Sequence, residues 1–147
     1  MNSFFNDLFD YNYHCNQRII EIALAENTIP KKTIVLFSHI LNAHHRWNSV
    51  VLESSPTHEA WDVHEISKWQ DLHYDNQRST FGIITNTENF EKEVNYMNAK
   101  QESQTRSLRE ILFHVINHST YHRGQIAMIL RDSTIAPSPS DFIHFKN

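Results

Sequence analysis

Apolar residues recur at every third or fourth position along four stretches of the chain, and this spacing predicts four amphipathic α-helices. The stretches cover residues 3–25, 30–54, 66–84 and 107–132. The second stretch is the most strongly apolar, and Pro30 suits the first turn of its helix. The third stretch is weaker, because Gly82 and neighbouring β-branched residues have low helix propensity. Helices are therefore expected to make up most of the chain.

The fourth helix has the clearest boundaries. Ser107 and Glu110 form an S-x-x-E capping box, which supplies partners for the free N–H groups at a helix start. The sequence APSPSDF ends the helix, because proline cannot continue one. In the first helix, Ser3 is the predicted N-cap. The predicted apolar side of that helix consists of Phe4, Leu8, Tyr11, Cys15, Ile19, Ile22 and Leu24.

Two segments between the helices lack the helical pattern. Residues 53–65, ESSPTHEAWDVHE, crowd Ser, Pro and His together and predict a long connection between the second and third helices. In residues 91–106, Val94 and Tyr96 alternate with polar positions, which fits either a short β-hairpin or an irregular loop. We predict one all-α domain over residues 1–147, a four-helix bundle with a long crossover between helices two and three.

Composition and charge narrow the class of protein. Two glycines and four prolines among 147 residues leave few turns for an all-β protein. The formal net charge is −4 and the Lys and Arg residues are scattered, so we expect no nucleic-acid partner. No apolar run is long enough for a membrane span, and the N-terminus does not resemble a signal peptide. Cys15 is alone, and we expect it to pack in the interior of a cytoplasmic protein.

Eleven histidines are the unusual part of the composition, and three of them lie in the fourth helix. The apolar seam of this helix passes through His118 and His122, which lie within about 20° of its centre at 100° per residue. His114 lies about 60° to one side. Four other histidines are expected at the protein surface because they lie among polar residues: His14, His58, His73 and His144.

The second helix carries three more histidines. His39 borders its apolar stripe, whereas His44 and His45 point away from it. His39, His118 and His122 are therefore predicted to face one interior volume. A lone buried histidine usually forms a hydrogen bond with a neighbouring residue, but three buried histidines need three such partners. Each buried polar group without a partner destabilises the fold by roughly 1 to 3 kcal/mol. One divalent metal ion satisfies all three, and an i, i+4 histidine pair is a familiar chelating geometry.

These histidines and several flanking motifs resemble the DinB family, also called DinB/YfiT-like metalloenzymes. HVINHSTYHRGQIAMILR is similar to the family's last helix, in which the final two histidines of H-x-x-x-H-R-G-Q are ligands; here they are His118 and His122. HILNAHHRW matches the family's first ligand histidine, eight residues before a tryptophan, and gives His39 and Trp47. Three further segments are similar to other elements of the family: LFDYNYHCN, VNYMNAKQES and PSPSDFIHF. The resemblance therefore covers nearly the whole chain.

The resemblance implies a bundle in up-down-down-up order, a three-histidine site for a divalent metal and a homodimer. Family members with assigned activities include transferases and isomerases that use low-molecular-weight thiols such as bacillithiol or mycothiol. The resemblance therefore also implies a small-molecule substrate, with such a thiol as the leading class. The turn MNAKQES departs from the family because it lacks the usual glycine, which leaves the hairpin geometry open.

Three neutral imidazoles leave a metal ion its full charge and at least one open position, as in catalytic zinc sites. Zinc or nickel is the expected metal, although iron and copper also bind imidazole. Gln125, Tyr121 and His114 are the residues expected around the ligands, and Gln125 is placed to orient one of them. Arg123 is expected to point elsewhere, into a salt bridge.

Two functions follow from this site. The first is a metal-dependent enzyme, a thiol S-transferase or hydrolase, in which the metal activates a thiol or a water molecule. The second is a non-catalytic stress or interaction protein with a structural ion, because no Asp or Glu that could act as a general base lies on the two histidine-bearing seams. The motifs of di-iron bundles, zincins and phosphate-binding loops are absent from the sequence.

Overall fold

The computed structural model describes residues 1–146. It contains four long helices, a short fifth helix and a two-stranded sheet, in agreement with the predicted all-α class. In chain order the elements are α1 (Asn2–Ala25), α2 (Lys31–Val51), α3 (Ile66–Thr85), β1 (Glu93–Met97), β2 (Ser103–Ser107), α4 (Leu108–Asp132) and α5 (Phe142–Phe145).

Each of the four long helices packs against two others. Helix α2 contacts α4 and α3, and α1 contacts α3 and α4. Residues 52–65 form the long crossover that the sequence predicts between α2 and α3. The interior is therefore enclosed by all four long helices.

The segment before α4 forms an antiparallel hairpin. Strands β1 and β2 pair in the register Glu93 with Ser107 and Met97 with Ser103. The turn contains no glycine, and Gln101 adopts the left-handed conformation there with φ 62°. The side-chain oxygen of Asn98 stabilises this turn by accepting two backbone N–H bonds, 2.9 Å long, from the residues two and four positions later. The hairpin alternative is thus the correct one.

The ends of the helices follow local sequence signals. The predicted capping box is present at α4, where Ser107 and Glu110 exchange side-chain and backbone hydrogen bonds. After the prolines, the chain returns to α1, where the Tyr11 hydroxyl donates to the carbonyl of Ser140 at 2.5 Å. Helix α5, which the sequence analysis did not predict, then brings Phe142 against the Tyr11 ring.

The buried face of α1 differs from the predicted one. Phe4 and Leu24 are exposed, while Phe5, Phe9 and Ile20 are buried. The predicted face was wrong at these positions because the helix also buries two asparagines, which a search for apolar residues excludes. The helix begins at Asn2, so Ser3 is not its N-cap.

The interior consists of two apolar clusters separated by a layer of polar side chains. The first cluster includes Phe5, Phe9 and Ile84, and the second includes Ile20, Phe37 and Trp69. Every long helix contributes buried polar residues between its apolar ends. This polar layer comprises Asn12, Asn16, His39, Asn42, His44, Asn48, His73, Asn76, Gln77, Thr80, Ser119, His122 and Arg123.

Two histidines of the polar layer are buried against expectation. His44 was expected to point away from the interior, but its Nε2–H donates to Thr80 Oγ1 at 2.7 Å, and that hydroxyl donates to Asn48 Oδ1 at 3.0 Å. His73 was expected at the surface, but its ring stacks on Tyr13 and its Nε2–H donates to the carbonyl of the same residue at 3.0 Å. Thr80 on α3 is the partner of His44, and Tyr13 on α1 is the partner of His73, so both positions suit a neutral imidazole.

Within residues 1–146, none of the helices combines the length and the apolar character needed to cross a bilayer.

The buried imidazoles predict that acid weakens the fold. Burial lowers the pKa of His44 from 6.5 to about 3, because the charged form is excluded from water. Below pH 6.5 His44 binds a proton in the unfolded chain but not in the folded protein. Stability is therefore lost as the pH falls towards about 3, the pKa of His44 in the folded state. At pH 4 we expect His44 to lower the free energy of unfolding by about 3 kcal/mol. Denaturant unfolding between pH 7 and pH 4, with a chelator present throughout, measures this loss.

The His44→Gln variant should reduce this pH dependence, because glutamine can donate to Thr80 without titrating. His14→Gln, at an exposed position on α1, is the matched control and should keep it. If the free energy of unfolding depends on pH equally in the two variants, His44 does not cause the loss of stability in acid.

Candidate metal centre

Three histidines from two helices meet at one edge of the polar layer. His39 comes from α2, and His118 and His122 come from consecutive turns of α4. Each offers a ring nitrogen within 4.8 Å of the other two, and the Nε2 atoms of His39 and His118 are 3.1 Å apart. The structure therefore brings together the three residues that the sequence analysis selected. They form a group that could hold a metal ion.

Hydrogen bonds fix which nitrogen faces the centre of this histidine triad. His39 Nδ1–H donates to the carbonyl of Ala60 at 2.6 Å, and His122 Nδ1–H donates to Gln125 Oε1 at 2.7 Å. A neutral imidazole that donates from Nδ1 keeps a lone pair on Nε2. Both rings are thus held in the tautomer that presents Nε2 to a cation, as the outer hydrogen bonds of metal sites usually do.

The crossover covers the triad, a feature that the sequence analysis missed. The Trp61 ring stacks on the His39 ring with centroids 3.7 Å apart and planes 3° from parallel. Asn42 anchors this part of the crossover by donating to the carbonyl of Asp62 at 2.7 Å and accepting from His64 Nε2–H at 2.6 Å. No periodic pattern in residues 53–65 could have placed Trp61, because loop geometry depends on such long-range contacts.

The electrostatic surroundings favour neutral rings. Burial lowers the pKa of His39, and it lowers the pKa of His118 to about 4, with the neighbouring imidazoles adding to the effect. No carboxylate belongs to the group of ligand atoms. Three imidazole nitrogen donors, two of them on rings with fixed tautomers, match the donor set of zinc and of other imidazole-binding metals. The residues present therefore fit a divalent ion.

The triad lies at the edge of the interior and is accessible from outside. The first half of the predicted seam of α4 is buried, and so is His122, but from Ser119 onwards the buried face is shifted by one position and includes Ser119, Arg123 and Ile126. His118 is consequently half-buried, whereas it was expected near the centre of the seam. Tyr121 beside it is 64% exposed.

The three residues expected around the ligands have different positions. Gln125 contacts a ligand directly through the bond to His122, and its Nε2 donates to the Tyr121 hydroxyl at 3.4 Å. The Tyr121 ring packs edge-on against His122 with centroids 5.0 Å apart. His114 lies outside the triad, with its ring between Trp47 and His118.

Arg123 does not form the expected salt bridge. It is buried and donates to Asn12 Oδ1 at 2.6 Å and to Asn16 Oδ1 at 2.9 Å. The one-position shift of the α4 seam explains this result, because it places Arg123 on the inner face towards α1. His122 therefore faces His39 on α2, whereas the next residue, Arg123, faces α1.

Comparison with known proteins assigns the chain to a family. Fold and site together define a mainly helical protein with three histidines positioned to hold a metal ion. The model of the DinB family matches residues 26–147, so the chain belongs to the DinB family. It is also 27% identical to Protein DinB of Bacillus subtilis (strain 168) over 161 aligned positions, which include 97% of this chain and 93% of that protein.

The geometry predicts that two histidines one helical turn apart differ in their effect on metal binding. His118→Ala removes one of three nitrogen donors and should abolish stoichiometric binding of zinc or nickel. His114→Ala should bind like the wild type, because its ring lies outside the triad. Metal analysis after dialysis, with isothermal titration of the apoprotein, measures both. Equal loss of metal in the two variants would contradict the assignment.

Gln125 is predicted to support metal binding by holding the His122 ring in place. Gln125→Leu removes the acceptor that holds Nδ1–H and should weaken metal binding by about 10- to 100-fold. Asn117→Leu, at an exposed position on the same helix, is the control and should leave the affinity unchanged. Competition with a chromophoric chelator gives the two affinities. An unaltered affinity for Gln125→Leu would show that this hydrogen bond does not support the site.

Proposed function

We propose that the protein is a metal-dependent enzyme in which His39, His118 and His122 bind one divalent ion, zinc or nickel. The observation that carries this proposal is the convergence of three imidazole nitrogen donors, two of them fixed in the required tautomer by Ala60 and Gln125. Three protein ligands leave at least one position for another molecule, the arrangement typical of catalytic rather than structural zinc.

When bound, such an ion acts as a Lewis acid and favours the thiolate form of a thiol or the ionised form of water. The chain's own part is to hold the donors rigidly. His39 is fixed by the Ala60 carbonyl at its Nδ1 edge and by the Trp61 ring that stacks on its face. His122 is fixed by Gln125 and the Tyr121 ring.

Tyr121 and Trp61 supply the outer wall of the proposed substrate site. Both side chains are more than half exposed, and each contacts a ligand ring. The Tyr121 hydroxyl accepts from Gln125, so its own proton is free to donate to a substrate atom beside the metal. A small molecule with an apolar part and a hydrogen-bond acceptor fits such a wall.

Transfer to or from a low-molecular-weight thiol is the reaction that we favour over hydrolysis. Hydrolysis normally requires a general base, and the nearby acids of the crossover are engaged elsewhere. Glu59 pairs with Arg46 at 3.3 Å, and Asp62 Oδ2 accepts the backbone N–H of Glu59 at 2.8 Å. A thiol held as thiolate is already a nucleophile and needs no such base.

A second candidate function is a structural ion in a non-catalytic stress or interaction protein. The triad joins α2 and α4, and the bond from His39 to Ala60 ties in the crossover. An ion at this place would add to stability in proportion to its affinity for the folded state. This alternative predicts that removal of the metal unfolds the protein.

We also propose a homodimer in the cytoplasm with no nucleic-acid partner. Helix α4 exposes Phe113, Tyr121 and Met128, each more than half accessible, which is an apolar surface suited to a second copy. The net charge of −4 supports the absence of nucleic acid.

Activity and stability measured together distinguish the two functions. The wild type, loaded with zinc or nickel, is screened for transfer of a low-molecular-weight thiol to an electrophile and for ester and amide hydrolysis. The enzyme proposal predicts turnover that His118→Ala loses, while its free energy of unfolding changes by less than about 2 kcal/mol. His114→Ala should retain turnover. Unfolding of His118→Ala, with no turnover by the wild type, would support the structural ion instead.

A further inference from the structure

Arg123 carries a buried positive charge that no carboxylate neutralises. It is 4% exposed, and the ion pairs in the described part of the chain all join other side chains. Its Nη atoms donate to the neutral oxygens of Asn12, Asn16 and Thr120. The Tyr11 ring lies 5.4 Å from the guanidinium carbon and compensates only part of the charge. A buried cation without a counter-charge is strongly unfavourable.

Several N–H groups around this guanidinium also lack acceptors. Arg123 Nε and the Nδ2 atoms of Asn12 and Asn16 are buried without a hydrogen-bond partner in the described part of the chain. Both asparagines turn their oxygens to Arg123, which leaves their amide nitrogens unpaired. Buried donors are normally satisfied. This side of the polar layer therefore combines excess positive charge with excess N–H groups.

A small cavity adjoins Arg123 between α1, α4 and residues 137–140. Its volume is about 20 Å³, which is enough for one water molecule or one monoatomic ion. Arg18 and Cys15 also line it, and none of its lining residues is Asp or Glu. Arg18 already pairs with Glu21 at 3.1 Å. Burial raises the pKa of the Cys15 thiol, so this residue does not supply the missing negative charge.

We propose that this cavity binds a single halide-sized anion, with Arg123 as its main ligand. The anion provides the counter-charge and accepts the N–H of Arg123 Nε. The site is separate from the histidine triad, because the Arg123 side chain bonds to α1 whereas His122 faces His39 on α2. The proposal does not depend on the proposed enzymatic function.

Thermal unfolding in two salts tests the proposal on the full chain. At constant ionic strength, replacing gluconate by chloride should raise the unfolding midpoint of the wild type by several degrees, because chloride fits the cavity and gluconate does not. Arg123→Gln removes the charge and Ala127→Val fills the cavity, so both should abolish the difference between salts. Arg131→Gln, an exposed position on α4, is the control and should retain it.

Crystals soaked in bromide locate the ion directly. The expected result is an anomalous bromine peak beside Arg123 Nε in the wild type and none in Ala127→Val. Equal midpoints in the two salts, with only a water molecule in the cavity, would overturn the proposal. If Arg123→Gln does not fold, Ala127→Val and the bromide experiment still decide. Metal content should stay at the wild-type level in Ala127→Val, which separates the result from the histidine site.

Discussion

The structure depends on satisfying the polar layer that separates its two apolar clusters. Polar side chains are stable in an interior only when they have hydrogen-bond or charge partners. Asn76 Nδ2 donates to the carbonyl of Leu41 at 3.0 Å, and Gln77 Nε2 donates to that of Phe9 at 3.2 Å, so α3 is joined to both α2 and α1. These directional bonds set the relative positions of helices that apolar contacts alone would leave less defined.

The same requirement explains why both candidate sites lie in this layer. On the side of α2 and α4 the layer ends in three imidazoles, and on the side of α1 and α4 it ends in a guanidinium. Adjacent residues of α4, His122 and Arg123, begin these two polar regions. One helix thereby carries nitrogen lone pairs suited to a cation and N–H donors suited to an anion, separated by its own backbone.

The sequence predicted the four long helices and the pairing of His118 with His122 because both depend on short-range periodicity. His118 and His122 share a face of α4 by spacing alone, and the capping box of Ser107 marks the start of that helix. Residues paired through tertiary contacts could not be predicted. His73 looks solvated among polar neighbours, yet it is buried by stacking on Tyr13. Trp61 reaches His39 only because the crossover folds back over α2, and no local pattern encodes that path.

The hydrogen bonds of the triad themselves favour a cation over a network of imidazoles. Because His39 and His122 each donate from Nδ1, their Nε2 atoms are acceptors when the rings are neutral. His39 Nε2 lies 3.1 Å from His118 Nε2, and one proton on His118 can satisfy that contact alone. His122 Nε2 then has no donor within the triad, and protonating a further ring would add charge where burial already lowers the pKa of His118 to about 4. A divalent ion would accept all three lone pairs at once, which no placement of protons among the three rings achieves.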